Sequence, residues 1–126
     1  MIQKIVTEED YRGYTIVVKE IFEDGIYPIF LDESLWSTWF CGYAVIPEDH
    51  PFYGEDYDEV EGYVDVHGGL TFSGELDGID GFLLGFDCNH YWDSPEVQNE
   101  EYTLSECKRL VDQLIEIKEL SNQPKS

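Results

Sequence analysis

Positive charge is what this 126-residue chain has least of. Seven Lys and Arg stand against 28 Asp and Glu, for a formal charge of −21. Between Lys19 and Lys108 there is neither Lys nor Arg, while 22 acids occur in that stretch. Nucleic-acid binding draws its affinity from Lys and Arg neutralising phosphates, so direct nucleic-acid binding is not expected. Cysteine is scarce and odd in number (Cys41, Cys88 and Cys107), and no two form a CxxC pair. That fits a reducing cytoplasm better than a disulfide framework. No apolar run approaches the roughly 18 residues of a membrane span, and no charged, apolar, small-residue leader opens the chain. The expectation is a protein that stays where it is made, away from membranes. The motifs HExxH, GxSxG, the P-loop and the dinucleotide glycine pattern are also missing, which removes the commonest signatures of enzymes.

Aromatic residues, by contrast, are plentiful at 15%, and hydrophobic residues reach 42%. Disordered chains are poor in both, so a folded domain with a real core is expected despite the charge. The acidic body would be steered by long-range attraction toward a basic partner. Plain solubility is the simpler reading of the same charge.

Residues 11–22, YRGYTIVVKEIF, read as a strand. The Asp-Gly turn in EDGI and the following YPIFL suggest a hairpin return, kept to an edge by Pro28. WSTWFCGYAVI (36–46) reads as another strand ended by Pro47. PEDHPFYGEDYDEVEG (47–62) reads as a long acidic loop, of the length that is functional or mobile in small domains. YVDVHGGLTFSG and GFLLGFDCNH then form a second hairpin around residues 77–80, with paired positions summing to about 155–157. That register places His67 opposite Cys88, with Gly68 and Gly69 as a bulge. A closing helix is signalled by the capping box TLSE (103–106) and an apolar face of Leu104, Cys107, Leu110, Val111, Leu114 and Ile117. The expected fold is α+β: an antiparallel β-sheet of four to six strands with one C-terminal helix packed on it. It forms a single domain over residues 1–120, followed by a flexible polar tail at 121–126.

The residues with the most chemistry are His67, Cys88, His90 and Cys107. A closed Cys2His2 zinc site needs four such ligands, and here it would staple the hairpin to the helix. Asp87 and His50 are reserve ligands. The competing reading makes the cysteines small core residues and the histidines hydrogen-bonded structural groups. An open site with an oxygen ligand would instead suit metal-dependent hydrolysis. Ser73 and Thr71 lie near His67 in sequence, but strand alternation works against a Ser-His pair.

Four blocks, CGYAVIPEDHPFYG (41–54), VDVHGGLTFSG (64–74), GFDCNHYWD (85–93) and SECKRLVDQL (105–114), together resemble a family of small phage and prophage proteins. Its blocks read CGYV-x-VP-x-x-HP-x-YG, VHGGLT, GFDCAH-x-GD and EC-x-x-L-x-x-QL. Tyr91 and Trp92 depart from that pattern, whereas Asp93 matches it. The resemblance implies a phage protein acting in the cytoplasm of a bacterial host, with His50, His67, Cys88, His90 and Cys107 on shared blocks. In size and charge the chain is similar to the anti-CRISPR proteins of type II effector nucleases. That similarity implies a non-enzymatic inhibitor binding the basic surface of a CRISPR effector nuclease. Glu55, Asp56, Asp58, Glu59 and Glu61 are then the expected partner-binding residues. A small metal-dependent hydrolase of phage origin, and a phage accessory protein without a defence role, are the rival expectations.

Overall fold

A computed structural model describes residues 2–24, 36–90 and 92–122. Its elements are strands β1 (Ile2–Tyr11), β2 (Tyr14–Asp24) and β3 (Trp36–Ile46), a short helix α1 (Tyr57–Val60), strands β4 (Phe72–Leu76) and β5 (Ile79–Asp87), and the long helix α2 (Glu100–Ser121). The strands form one antiparallel sheet in the order β1-β2-β3-β5-β4, so the fold is α+β as expected. No described helix is long and apolar enough to cross a membrane.

The first hairpin differs from the expected one. Tyr11–Phe22 is not a single strand, because the chain reverses at Arg12-Gly13, where φ is +53° and +89°. Positive φ at both central residues is the geometry of a two-residue hairpin turn whose twist matches the strands. Asp10 Oδ1 accepts from the Gly13 amide (3.1 Å) and helps hold it. An Arg at the first position disguises such a turn in sequence, since Asn or Asp normally fills it. The expected return strand YPIFL lies outside the described residues.

The second hairpin keeps its expected register where it is paired: Phe72↔Gly85, Ser73↔Leu84 and Gly74↔Leu83, with a shift before Leu76↔Ile79. The strand is shorter than expected, however. Residues 64–71 leave the sheet, and the bulge falls between Gly74 and Leu76 rather than at Gly68-Gly69.

Helix α2 lies mainly across β2 and β3. Its buried residues, Thr103, Cys107, Leu110, Val111 and Leu114, recur at helical spacing and meet Ile16, Val18, Ala44, Ile46, Leu84 and Phe86 from alternate positions of the strands. Each fully buried aliphatic side chain there contributes on the order of 1.5–3 kcal/mol. The expected capping box is not the start of this helix. Asn99 is the N-cap, its side chain accepting from the Tyr102 amide (2.9 Å), one turn before Thr103. Thr103 is therefore inside the helix, and Glu106 is free to bond elsewhere. The helix continues through Ser121, the first residue of the expected tail; residues 123–126 lie outside the described residues.

Residues 47–71 cross from the end of β3 to the far edge of the sheet. This connection is less irregular than the composition suggested. Phe52, Val60, Val66 and Leu70 are buried in the same core as α2, and α1 with a 3-10 turn (Glu61–Tyr63) occupies its middle. His50 is also buried. Its Nδ1 accepts from the Phe52 amide (3.0 Å) and its Nε2 donates to the Leu114 carbonyl (2.8 Å). With both nitrogens committed to backbone groups, His50 is a structural residue that pins the loop to α2, not a reserve metal ligand.

Candidate metal centre and its surroundings

The VDVHGG stretch forms a tight turn closed by the Gly69 amide on the Val66 carbonyl (2.9 Å), with His67 and Gly68 at its centre. Gly68 has a φ of +68°, a conformation that favours glycine. It also faces the ring of His90 so closely that a Cβ on it would lie 2.2 Å from His90 Cε1. The glycine thus serves the turn and makes room for the second histidine.

Both histidines converge on Asp93, whose side chain is only 2% exposed. His67 Nε2 lies 2.8 and 2.9 Å from its two carboxylate oxygens. His90 Nδ1 lies 2.8 Å from Oδ2, and the His90 amide donates to the same oxygen (2.9 Å). Burial pushes the Asp93 carboxyl pKa upward, but the bonds from His67, the His90 backbone and the His90 ring outweigh it and hold the group below its ordinary value. Asp93 is therefore an ionised acceptor, and the two ring nitrogens facing it are donors.

On its far side His67 Nδ1 meets the Tyr102 hydroxyl (2.7 Å). The Nε2 of His90 faces Asp87 Oδ1 at 3.9 Å, and the indole of Trp92 stacks on the His90 ring at 5.4 Å and 12°. The turn itself is gripped by one edge of α2. The His67 amide donates to Glu106 Oε1 (2.8 Å), and Arg109 bonds both Glu106 (2.9 Å) and Asp65 (3.1 Å). Gln113 closes a pair of bonds with the backbone of Asp65 (2.6 and 2.8 Å). Tyr102, Glu106, Arg109 and Gln113 are spaced four, three and four apart, which puts them on one helix stripe.

His67, His90 and Asp93 form a group that can hold a metal ion, each offering a ligand atom within 4.8 Å of the others. This corrects the expected four-ligand set. Cys88 and Cys107 are not brought to the histidines. Cys88 is buried under α2, its sulfur 3.6 Å from Thr103 Oγ1, and the Thr103 hydroxyl donates in turn to the Asn99 carbonyl (2.8 Å). Cys107 is fully buried and donates to the Val17 carbonyl (3.8 Å); a Cβ on Gly42 would come within 2.7 Å of its sulfur. Burial pushes both thiols up to about 12, as expected of small core residues, and neither sulfur joins the His67, His90 and Asp93 group. Cys88 and His90 do not share a strand face, because β5 ends at Asp87 and the chain turns. Asp87, a reserve ligand, stands behind His90 rather than beside His67.

Asp93, Tyr102 and Glu106 were not among the expected site residues. Signals for them were present. Asp93 follows His90 at a turn spacing, and the polar stripe of α2 runs beside its apolar one. The expected partner-binding residues Glu55, Asp56, Asp58, Glu59 and Glu61 are all exposed on and around α1. Asp56 caps α1 by accepting from the Asp58 amide, and the Tyr57 amide donates to Ser73 Oγ (3.1 Å), tying the acidic segment to β4. Tyr53 and Tyr63 are exposed among these acids, Tyr63 to 70%.

Comparison of the chain with family models, with curated proteins and with solved structures finds no match.

Proposed function

We propose that this protein is a phage-encoded stoichiometric inhibitor that lays an ordered acidic face against the basic, nucleic-acid-handling surface of a bacterial defence effector. The partner we name is a type II CRISPR effector nuclease, which makes the protein an anti-CRISPR acting in the host cytoplasm. One observation supports this reading above the rest: the six Lys and Arg among the described residues are already used internally. Lys4 pairs with Glu20, Arg12 with Asp112, Lys108 with Glu9, Arg109 with Glu106 and Asp65, and Lys118 with Asp49. Lys19 bonds Gln3 and lies over the Tyr43 ring. The acids around α1 have no such partners among the described ion pairs, and the segment carrying them is anchored by buried Phe52, Val60 and His50. Anchoring lowers the entropy lost on docking. Exposed tyrosines beside carboxylates suit a protein surface rich in Arg, through hydrogen bonds and cation–π contact.

The test is binding of the purified protein to the effector, with and without guide RNA, alongside a DNA-cleavage assay. Between about 0.1 M and 1 M salt the screening length falls from about 10 to 3 Å, so affinity drops steeply if charge drives docking. Replacing Glu55, Asp56, Asp58, Glu59 and Glu61 with their amides weakens both binding and inhibition. Salt-independent affinity, or cleavage that proceeds at full rate with saturating protein, sinks the reading.

Zinc is the ion we assign to the His67–His90–Asp93 group, since imidazole and carboxylate ligands suit it. A second reading, a small metal-dependent hydrolase, draws on the number of ligands: three protein ligands leave zinc a position for water. Zinc-dependent turnover of phosphate or carboxylic esters that is lost in Asp93→Asn would favour it over docking.

A further inference from the structure

Two imidazoles sharing one carboxylate can be a purely structural knot. What lies behind each ring argues for more. A histidine that binds a metal through one nitrogen must carry its proton on the other, and that proton needs an acceptor. His67 has the Tyr102 hydroxyl 2.7 Å from Nδ1, and His90 has the Asp87 carboxylate beyond Nε2 at 3.9 Å. A hydroxyl both donates and accepts. Tyr102 therefore serves His67 in either tautomer, donating to Nδ1 when Nε2–H is bonded to Asp93 and accepting when Nε2 is a ligand. Asp87 Oδ1 accepts from the Asn89 amide (3.2 Å), which holds its carboxylate facing His90 Nε2, at a distance too long for a direct hydrogen bond.

We infer that His67 Nε2, His90 Nδ1 and the Asp93 carboxylate form a thiolate-free, three-ligand divalent-metal site whose outer shell is Tyr102 and Asp87. The inference rests on the zinc assignment above for the identity of the ion alone. The geometric demand is small. Zinc–nitrogen and zinc–oxygen bonds of about 2.1 Å set tetrahedral ligand atoms about 3.4 Å apart. The present separations on Asp93 are 2.8 Å, so each edge must open by roughly half an ångström. On binding, the protons on His67 Nε2 and His90 Nδ1 are displaced: the His67 and His90 rings shift tautomer toward Tyr102 and Asp87, and the carboxylate changes from acceptor to ligand. The ion then joins the turn at 66–69 to His90 and Asp93, with Tyr102 linking His67 to the first turn of α2.

The experiment is a titration of the chelator-treated full-length protein with Co2+, followed by competition with Zn2+. Expected are one equivalent bound, visible ligand-field bands of a low-coordinate nitrogen–oxygen site, and no sulfur-to-cobalt charge-transfer band in the near ultraviolet. Tyr102→Phe, which keeps the ring, weakens binding by about 10- to 100-fold, and Asp87→Asn does so to a smaller extent. Asp93→Asn and His90→Gln weaken it further. Cys88→Ala and Cys107→Ala leave the spectrum unchanged. Absence of saturable binding overturns the inference, as does a thiolate band, or Tyr102→Phe binding like the unaltered protein. The spectrum of the unaltered protein needs no substitution, so a variant that fails to fold leaves the test intact. No partner is present in the titration, so its failure is distinct from a failure of docking.

Discussion

Helix α2 has two working edges that treat similar side chains in opposite ways. On its apolar edge Cys107, together with Cys88 beneath it, is sealed from water, and both thiols act as weak hydrogen-bond donors. On its polar edge Tyr102 and Glu106 hold a turn in which two histidines meet a buried carboxylate. All four ligands expected from the sequence, Cys88, Cys107, His67 and His90, lie near this helix or on it. Their roles differ because a thiol buried among aliphatic groups cannot afford charge, whereas the imidazoles have an anion to face.

The largest effect should come from breaking the apolar edge. Leu114→Ala removes a fully buried side chain from the contact with β2 and β3. A loss of about 2–5 kcal/mol in chemical denaturation is expected, with metal affinity of the folded fraction unchanged. A parallel loss of both would show that the two edges are one cooperative unit.

Next comes the turn. Gly68→Ala must accept a φ of +68° and collide with the His90 ring, whereas Gly69→Ala has a φ of +84° but a Cβ in no more than ordinary contact with Glu61 Oε2 at 3.9 Å. Strain alone costs about 1–3 kcal/mol at either position, so the excess destabilisation of Gly68→Ala measures the His90 contact. Equal unfolding free energies for the two variants would mean that the ring moves aside freely.

A third comparison uses pH. Burial, the largest influence on His50, lowers its pKa from the ordinary 6.5, and Lys118 adds to this, against the Leu114 carbonyl and Asp49. The unfolded chain therefore takes up a proton near pH 6.5 that the folded chain refuses. Stability from this group is whole above pH 6.5 and declines as pH falls from there to the folded value. The slope approaches at most about 1.4 kcal/mol per pH unit. Thermal unfolding from pH 7.5 downward should show this slope, and His50→Gln should remove it while lowering stability overall. A slope that survives the substitution belongs to another group.

The smallest effect on stability is expected at the acidic segment. Amides in place of Glu55, Asp56, Asp58, Glu59 and Glu61 should each change unfolding free energy by no more than about 0.5 kcal/mol, apart from the modest N-cap role of Asp56. A large loss would mean that these acids hold the loop rather than present it.

Much of this architecture was legible in the sequence where periodicity was strong. The apolar stripe of α2 and the register of Phe72–Gly74 against Leu83–Gly85 follow from 3.6-residue and two-residue patterns. The Arg12-Gly13 turn was hidden because Arg at positive φ is unusual, and so Tyr11 and Tyr14 read as parts of one strand. TLSE had the composition of a cap, but Asn99 reached the helix end first and left Thr103 to the core. For the candidate site, His67 and His90 were legible as a pair, because a period-two hairpin brings their blocks together.

By itself the sequence determined the fold class, the helix that closes it, the acidic character of the chain, and His67 and His90 as two of the candidate ligands. All of these depend on local pattern or on composition. Only the tertiary structure decided that Asp93 replaces two cysteines as the companion of His67 and His90. The reason is physical: whether a thiol is a ligand or a core residue, and whether a carboxylate is solvated or shared, depends on burial and on the groups facing it across the fold. The neighbours of His67 come from residues 26 to 39 positions away along the chain, a distance over which sequence periodicity carries no signal.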